Sequence, residues 1–248
     1  NDFIRQSSYE NLAARGITGS DADVIKTFKA EARFLRAYQY SVLMDLFGNP
    51  PFATDADPIG TIPKQIQRKD LFDYVESELK AIEPDLKAPR TNEYGRADQA
   101  ADWALLARNY LNAEVYTGTA RWNDAVTYSK KVIDAGYSLV PEYKWLMLAD
   151  NNQNTDEFIL TINYDGIHTQ GYGGTTFLTH APVGGNMVPA KFGISGGWAG
   201  ARTTKNLPNL FPDYTGAKDS RAEFFTDGQN IDIDDITVFN DGFGVTKY

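Results

Sequence analysis

Between residues 21 and 47 apolar side chains recur at steps of three and four on two separate stripes. One stripe is Phe28, Ala32, Leu35, Tyr38, Val42 and Leu46; the other is Phe34, Ala37, Tyr40, Met44 and Phe47. Such steps place side chains on one face of a helix. Two such faces predict a long helix buried on two sides, as in the middle of a bundle or solenoid. Gly48 and Asn49-Pro50-Pro51 end it, because proline disfavours helical backbone in the residue before it.

More helices are predicted on either side. Residues 1–16 read as a helix already in progress, with Ile4, Ser8 and Leu12 on one face and Gly16 as its stop. Asp70 is placed to cap a helix that buries Leu71, Val75, Leu79, Ile82 and Leu86 and stops by Pro89. Helices over about 98–117 and 122–135 follow, the last closed by Gly136. Trp103, Leu106, Ala107 and Tyr110 reproduce the W-x2-L-G-x2-Y spacing of a tetratricopeptide first helix, with Ala in the small slot. Ala125 supplies the small residue of the second helix. A single repeat of this kind also fits a generic helical hairpin.

From about residue 138 the character changes. Gly, Asn, Thr and aromatics take over, and glycine-rich stretches lie at 171–174, 184–189 and 193–200. Residues 157–164 read as a strand, and short helical pieces fit around 203–211 and 217–225. Residues 231–239 alternate as a strand would, with 243–248 as partner across Asn240-Asp241-Gly242, since Asp-Gly favours a tight hairpin turn. The expected fold class is mainly α, with tetratricopeptide-like hairpins and a loop-rich, partly β second half. The expected parts are 1–140 and 141–248. The opening helix without a start, and a closing strand, lead us to expect an internal piece of a longer protein.

Composition excludes several functions. There are 24 Lys+Arg against 33 Asp+Glu, a formal charge of −9. That argues against nucleic acid as a partner, because phosphate recognition needs a basic stripe. It argues equally against attraction to an anionic membrane surface. With no Cys, thiolate catalysis and cysteine metal sites are ruled out, and two His cannot make a three-histidine zinc site. No run of about 18 apolar residues occurs. Aromatics are the abundant class, with 14 Tyr, 14 Phe and 4 Trp. They are mostly core in any protein, but an excess can supply flat surfaces for ligands.

Residues 30–52 (AEARFLRAYQYSVLMDLFGNPPF) resemble the signature helix of the SusD/RagB family of outer-membrane nutrient-binding lipoproteins. Matches continue in the family's order at 71–86 (LFDYVESELKAIEPDL), 94–118 (YGRADQAADWALLARNYLNAEVYTG), 125–140 (AVTYSKKVIDAGYSLV) and 156–166 (DEFILTINYDG). The family is about twice as long, so the chain resembles its middle. In the second half, Tyr172 to Phe177, Gly196-Gly197-Trp198, Arg202 and 224–230 (FFTDGQN) resemble the family's starch-binding member. The resemblance implies non-catalytic binding of a polysaccharide or oligosaccharide, α-glucan favoured, at the cell surface. It implies a SusC-like TonB-dependent transporter as partner, and an outer-membrane location through a lipid anchor missing from this chain. It also implies that Tyr172 and Trp198 belong to an aromatic arc that follows the glycan.

The chemistry of sugars supports the same residues. A sugar ring has an apolar face of C–H groups and a belt of hydroxyls. Tyr and Trp offer a flat apolar platform with a polar edge, at low entropic cost. Glycines beside Trp198 leave its indole room to face solvent, although a loop Trp also serves commonly as a buried anchor. Asp165, Asn186 and Arg202 are the expected polar partners, with Asn163 and Gln170 nearby. Asp150, Asn152 and Asp156 fit a loose calcium site. The run lacks the Gly and Glu of an EF-hand, since Thr155 and Thr161 stand there, and a polar turn explains it as well. Asp232, Asp234 and Asp235 carry the one arrangement that could suggest a glycosidase acid pair, and solvated edge-strand acids explain it better. His168 and His180 read as loop histidines. The expectation is therefore no enzyme and no certain cofactor. Alternatives are a repeat scaffold binding protein partners only, a SusD-like protein for another glycan, or a glycoside hydrolase.

Overall fold

The computed structural model describes residues 1–248, which divide into two compact units. The first comprises Asn1–Tyr137 with Phe158–Thr161, and the second Ser138–Glu157 with Ile162–Tyr248. The chain thus changes unit after Tyr137 and then returns four residues, 158–161, to the helical part. Ile159 and Leu160 pack on the helical core, which accounts for that return. The strand expected over 157–164 does not form. Two of its apolar side chains reach the helices, Ile162 stays exposed, and no neighbouring strand offers a ladder.

The first unit is helical. Short helices α1 (Asp2–Gln6) and α2 (Tyr9–Ala14) replace the single opening helix, broken where Ser8 caps α2 by accepting from the Asn11 amide. Helix α3 (Ser20–Phe47) buries Ala30, Phe34, Ala37, Ser41 and Met44. Only this one side is covered. Phe28, Leu35, Val42 and Leu46 of the other stripe are exposed, as is Phe47, so the expected burial on two sides is not met within these residues. At its end the Gly48 amide bonds back to the Met44 carbonyl with φ +69°, a conformation that favours glycine.

Helix α4 (Arg68–Ile82) turns Leu71, Phe72, Val75, Leu79 and Ile82 inward. Asp70 does not cap it. The helix starts two residues earlier, and the side chain of Asn49 accepts from the Arg68 amide at 2.7 Å. Arg33 and Arg36 of α3 both bond Glu78 of α4, at 2.7 and 2.9 Å. Burial alone would raise the Glu78 carboxyl, but these two guanidinium groups hold it below the usual range. A two-residue antiparallel pair joins β1 (Pro51–Phe52) to β2 (Lys64–Gln65).

The expected helix over 98–117 is two, α5 (Gln99–Leu111) and α6 (Ala113–Thr117), with the break at Asn112. Asp98 caps α5, accepting from the amides of Ala100 and Ala101. Helix α7 (Trp122–Asp134) packs antiparallel to α5. Lys131, near its end, lies over Trp103 at the start of α5, while Arg121, just before it, lies over Tyr110 near the end of α5. Tyr110 and Ala125 are both buried at this crossing, as the tetratricopeptide spacing predicts, and the Tyr110 hydroxyl donates to Glu76.

The second unit has little regular structure. One helix, α8 (Gly174–His180), and one two-residue antiparallel pair, β3 (Phe224–Phe225) with β4 (Gly244–Val245), are its main elements. The hairpin expected from 231–239 with 243–248 is not formed, and 217–225 is not helical. Instead the Asp235 carboxylate accepts from the Thr237 amide and hydroxyl, and Asp241 accepts from the Asp235 amide and the Asn230 side chain. Side chains that bond nearby backbone in this way compete with strand ladders. The small core contains Ala181, Val183, Met187, Pro208, Ala222 and Phe243. Edge-on aromatic pairs such as Phe211–Phe224, at 5.5 Å, add to it.

One buried group of the helical unit generates a prediction. Asp102 of α5 is fully buried, and neither carboxylate oxygen has a hydrogen-bond partner. Burial pushes its pKa up to about 8; repulsion from Glu83 adds to this and Lys131 opposes it. In the unfolded chain an Asp titrates near about 4. The folded state therefore keeps a proton that the unfolded state releases. The contribution is fully present below about pH 4 and is lost as pH rises through the folded pKa. Asp102→Asn mimics the protonated acid. Its melting temperature, followed by circular dichroism, is expected to exceed that of the unsubstituted protein by several degrees at about pH 8, with the gap closing towards pH 4.

Candidate functional site

The second unit contains an open hollow of about 640 Å³ whose walls are the loop 170–172, helix α8 and the loop 195–198. Trp198 is its floor. The Tyr172 ring lies 6.0 Å from the indole with the planes tilted by 54°. His180 lies 5.3 Å away on another side at 34°, and Phe177 lies 6.4 Å away. Phe177 and His180 are three residues apart on α8, so both meet the same ring. Tyr172 is 86% exposed and Trp198 39%. Trp198 is thus neither a core anchor nor a free side chain. More than half of it is covered, and it lines the hollow beside the Tyr172, Phe177 and His180 rings.

Backbone hydrogen bonds hold the floor in place. The Trp198 amide donates to the His180 carbonyl at 2.9 Å, and the Ala199 amide to the Val183 carbonyl at 3.0 Å. The amides of Gly200 and Ala201 both donate to the Ala181 carbonyl at 2.9 Å. This brings Gly197 against the Val183 backbone so closely that a Cβ there would collide with the Val183 carbonyl. The Gly197 role follows from this approach, whereas Gly196 beside it has open space. Gly174 is needed for a second reason: its φ is +58°, and a Cβ would enter the Tyr164 ring.

The polar rim consists of Gln170, Thr176, His180 and Ser195. No Asp, Glu, Lys or Arg lines the hollow. The Tyr172 hydroxyl, the Trp198 indole N–H and the side chains of Gln170 and Ser195 have no hydrogen-bond partner within the protein, so they are available to a ligand.

Of the residues expected from sequence, the structure brings Tyr172 and Trp198 together but not the polar three. Asp165 turns its carboxylate onto the amides of Ile167, His168 and Thr169 and onto the His168 ring at 2.6 Å. The His168 contact and these amides hold it well below the usual carboxylate range. Asn186 donates to the Asp227 carbonyl and packs on Gly228. Arg202 donates to the carbonyls of Ile236 and Val238 and lies over the Phe239 ring. All three staple loops, and none lines the hollow.

Thr176, Phe177 and His180 were not among the expected site residues. Their three- and four-residue spacing just after a Gly-Gly pair was the available signal, and it becomes meaningful only once 174–180 is known to be helical. Of the expected calcium residues Asp150, Asn152 and Asp156, Asn152 lies within a single turn and Asp150 immediately precedes it. Residues 151–153 form a single 3-10 turn that Asn151 and Asn154 tie to the carbonyls of Leu146 and Trp145. Nowhere in the chain do three or more His, Asp or Glu side chains come together to hold a metal ion. Asp232 is paired with Lys205 at 2.6 Å, and Asp235 caps its own turn.

In the first unit, α5 and α7 leave a separate apolar groove of about 480 Å³ between Leu111, Trp122, Val126 and Ile133. No helix is long and apolar enough to cross a membrane.

The architecture is that of SusD-like proteins. A laminarin-binding SusD-like protein superposes over 91% of this chain and 51% of its own, with a TM-score of 0.65 at 21% identity. Surface glycan-binding protein A from Bacteroides uniformis does so over 90% and 47%, with a TM-score of 0.64 at 21% identity. These likenesses show the fold. In sequence, the starch-binding protein SusD of Bacteroides thetaiotaomicron is 40% identical over 185 residues, which is 73% of this chain and 32% of that protein. The chain belongs to the SusD-like family and spans about a third of the length of that relative. No protein-family model matches it.

The fit of Gly197 against Val183 predicts a contrast between neighbours. Gly197→Ala is expected to lower stability by about 1–3 kcal/mol through overpacking, seen as an earlier urea midpoint. Gly196→Ala should change it by less than about 0.5 kcal/mol. Equal effects would mean that the close approach does not hold the loop.

Proposed function

We propose that this protein binds a polysaccharide or oligosaccharide without cleaving it, with starch-type α-glucan the favoured ligand. The observation that carries the reading is the Tyr172–Trp198 pair, an aromatic platform lining an open, uncharged hollow. Two rings tilted by 54° suit a ligand that curves, because successive sugar units can each present their C–H face to one ring. Gln170, Ser195 and the polar edges of Tyr172 and Trp198 then meet the hydroxyls. The starch-binding activity named for the 40% identical SusD favours α-glucan over other glycans. A binding role without cleavage is supported by the same relative, which is named for binding starch.

The whole protein's setting is proposed on the same ground. The protein would act at the outer surface of the outer membrane, held by a lipid anchor, and would pass its glycan to a SusC-like TonB-dependent transporter.

A second reading draws on the apolar groove of α5 and α7. Stacked helical pairs bury such faces against a further repeat or a partner. A scaffold role of this kind would leave the aromatic platform without a ligand, so glycan binding separates the two.

Tyr172→Ala is the cleanest test, because its ring is almost wholly exposed. Calorimetric titration with maltoheptaose is expected to show at least about tenfold weaker binding with an unchanged melting temperature. Trp198→Ala should weaken binding as much and also lower the melting temperature, since its indole is more than half packed. Unchanged affinity in both variants would refute the platform. Absence of any binding by the unsubstituted protein would favour the scaffold reading.

A further inference from the structure

His180 is the rim residue whose tautomer the backbone of its own helix favours. Its Nδ1 lies 3.0 Å from the Thr176 carbonyl oxygen, one turn back on α8, and 2.9 Å from the Thr179 hydroxyl. A carbonyl oxygen only accepts, so the Thr176 contact is a hydrogen bond when Nδ1 carries the hydrogen, and the Thr179 hydroxyl can accept from the same N–H. In the neutral imidazole the other nitrogen, Nε2, is then a bare acceptor. No protein group bonds Nε2, and His180 lines the hollow beside Trp198. The ring is also fixed in orientation, because it packs on the indole at 5.3 Å while Nδ1 is tied to its own helix.

The other rim groups differ in kind. The Trp198 N–H is a donor only, while Gln170, Thr176, Ser195 and Tyr172 can rotate to donate or accept. His180 alone offers a lone pair that cannot turn away. We infer that His180 Nε2 is a ligand-binding acceptor, taking a hydrogen bond from a hydroxyl of the saccharide that stacks on Tyr172 and Trp198. This rests on the glycan-binding reading and adds a rule of selectivity to it. The unit on the platform must present a hydroxyl as donor towards α8. A sugar methylated or deoxygenated at that position would lose the bond.

Chain composition makes the test direct. His168 and His180 are the only two histidines, so the imidazole nitrogen spectrum of the intact, nitrogen-15-labelled protein is simple, and His168→Gln assigns it. At about pH 8, above the ordinary imidazole range, His180 is expected to show the Nδ1–H tautomer. Addition of maltoheptaose should shift its Nε2 resonance and leave Nδ1 nearly unmoved. His180→Phe keeps a ring against Trp198 and removes the acceptor. It is expected to weaken maltoheptaose binding by about three- to tenfold. His180→Gln, which can still present a carbonyl, should retain more affinity than His180→Phe.

A binding-competent protein with an Nε2–H tautomer, or with an Nε2 resonance unmoved by ligand, would overturn the assignment and leave the platform standing. Failure of the unsubstituted protein to bind would overturn the glycan reading and this inference with it. If His180→Phe does not fold, the resonance shift in the unsubstituted protein still decides the matter.

Discussion

Carbonyl groups of one short segment, 180–183, hold the candidate site together. His180, Ala181 and Val183 accept from the amides of four consecutive residues, Trp198 to Ala201. The same segment continues from α8, so the helix that supplies Thr176, Phe177 and His180 is joined directly to the strip that fixes Trp198. Remove that clamp and the indole has no reason to meet the Tyr172 or His180 rings. The clamp works only because Gly197 lets two backbones approach more closely than any Cβ would allow.

The two units solve the problem of order differently. The helical unit relies on burial: α3, α4, α5 and α7 share one core, and ion pairs such as Arg33–Glu78 and Arg36–Glu78 lie over its edge. The second unit has few regular hydrogen bonds and a small core. Its loops are held by carboxylates that accept from backbone amides a few residues on. Asp213 bonds the Thr215 and Lys218 amides, Asp219 the Arg221 amide, and Asp235 the Thr237 amide. Side-chain hydrogen bonds from Thr215, Arg221 and Thr237 respectively are the leading reason these three carboxyls titrate below their usual range. Part of the chain's acidity is therefore loop structure and not ligand chemistry.

That division bears on recognition. Asp165, Arg202, Asp213, Asp219 and Asp235 of the second unit are occupied with turns and staples, while the hollow is lined by neutral side chains and aromatic rings. A site of this composition offers stacking and hydroxyl-directed hydrogen bonds without an ionic demand, which suits an uncharged sugar. The hydrogen-bonded backbone under Trp198 and the short helix carrying His180 hold the indole and imidazole rings against each other.

The sequence by itself determined the helical half, because period-three-and-four apolar spacing is local and needs no knowledge of partners. It placed α3, the α5–α7 pair and the burial of Tyr110 and Ala125, and it singled out Tyr172 and Trp198 through their glycine setting and family resemblance. It did not decide which stripe of α3 would be covered, or that 158–161 would join helices instead of forming a strand, since both depend on what else packs there. The polar half of the site was decided only by tertiary structure. Asp165, Asn186 and Arg202 carry the right chemistry but bond distant or neighbouring backbone instead, whereas Thr176 and His180 become rim residues only when 174–180 closes into a helix against Trp198. Aromatic platforms are legible in a sequence because large rings in glycine-rich loops are rare. Hydrogen-bonding partners are not, because any polar side chain can be claimed by its own backbone, and only the folded geometry says which one is left free.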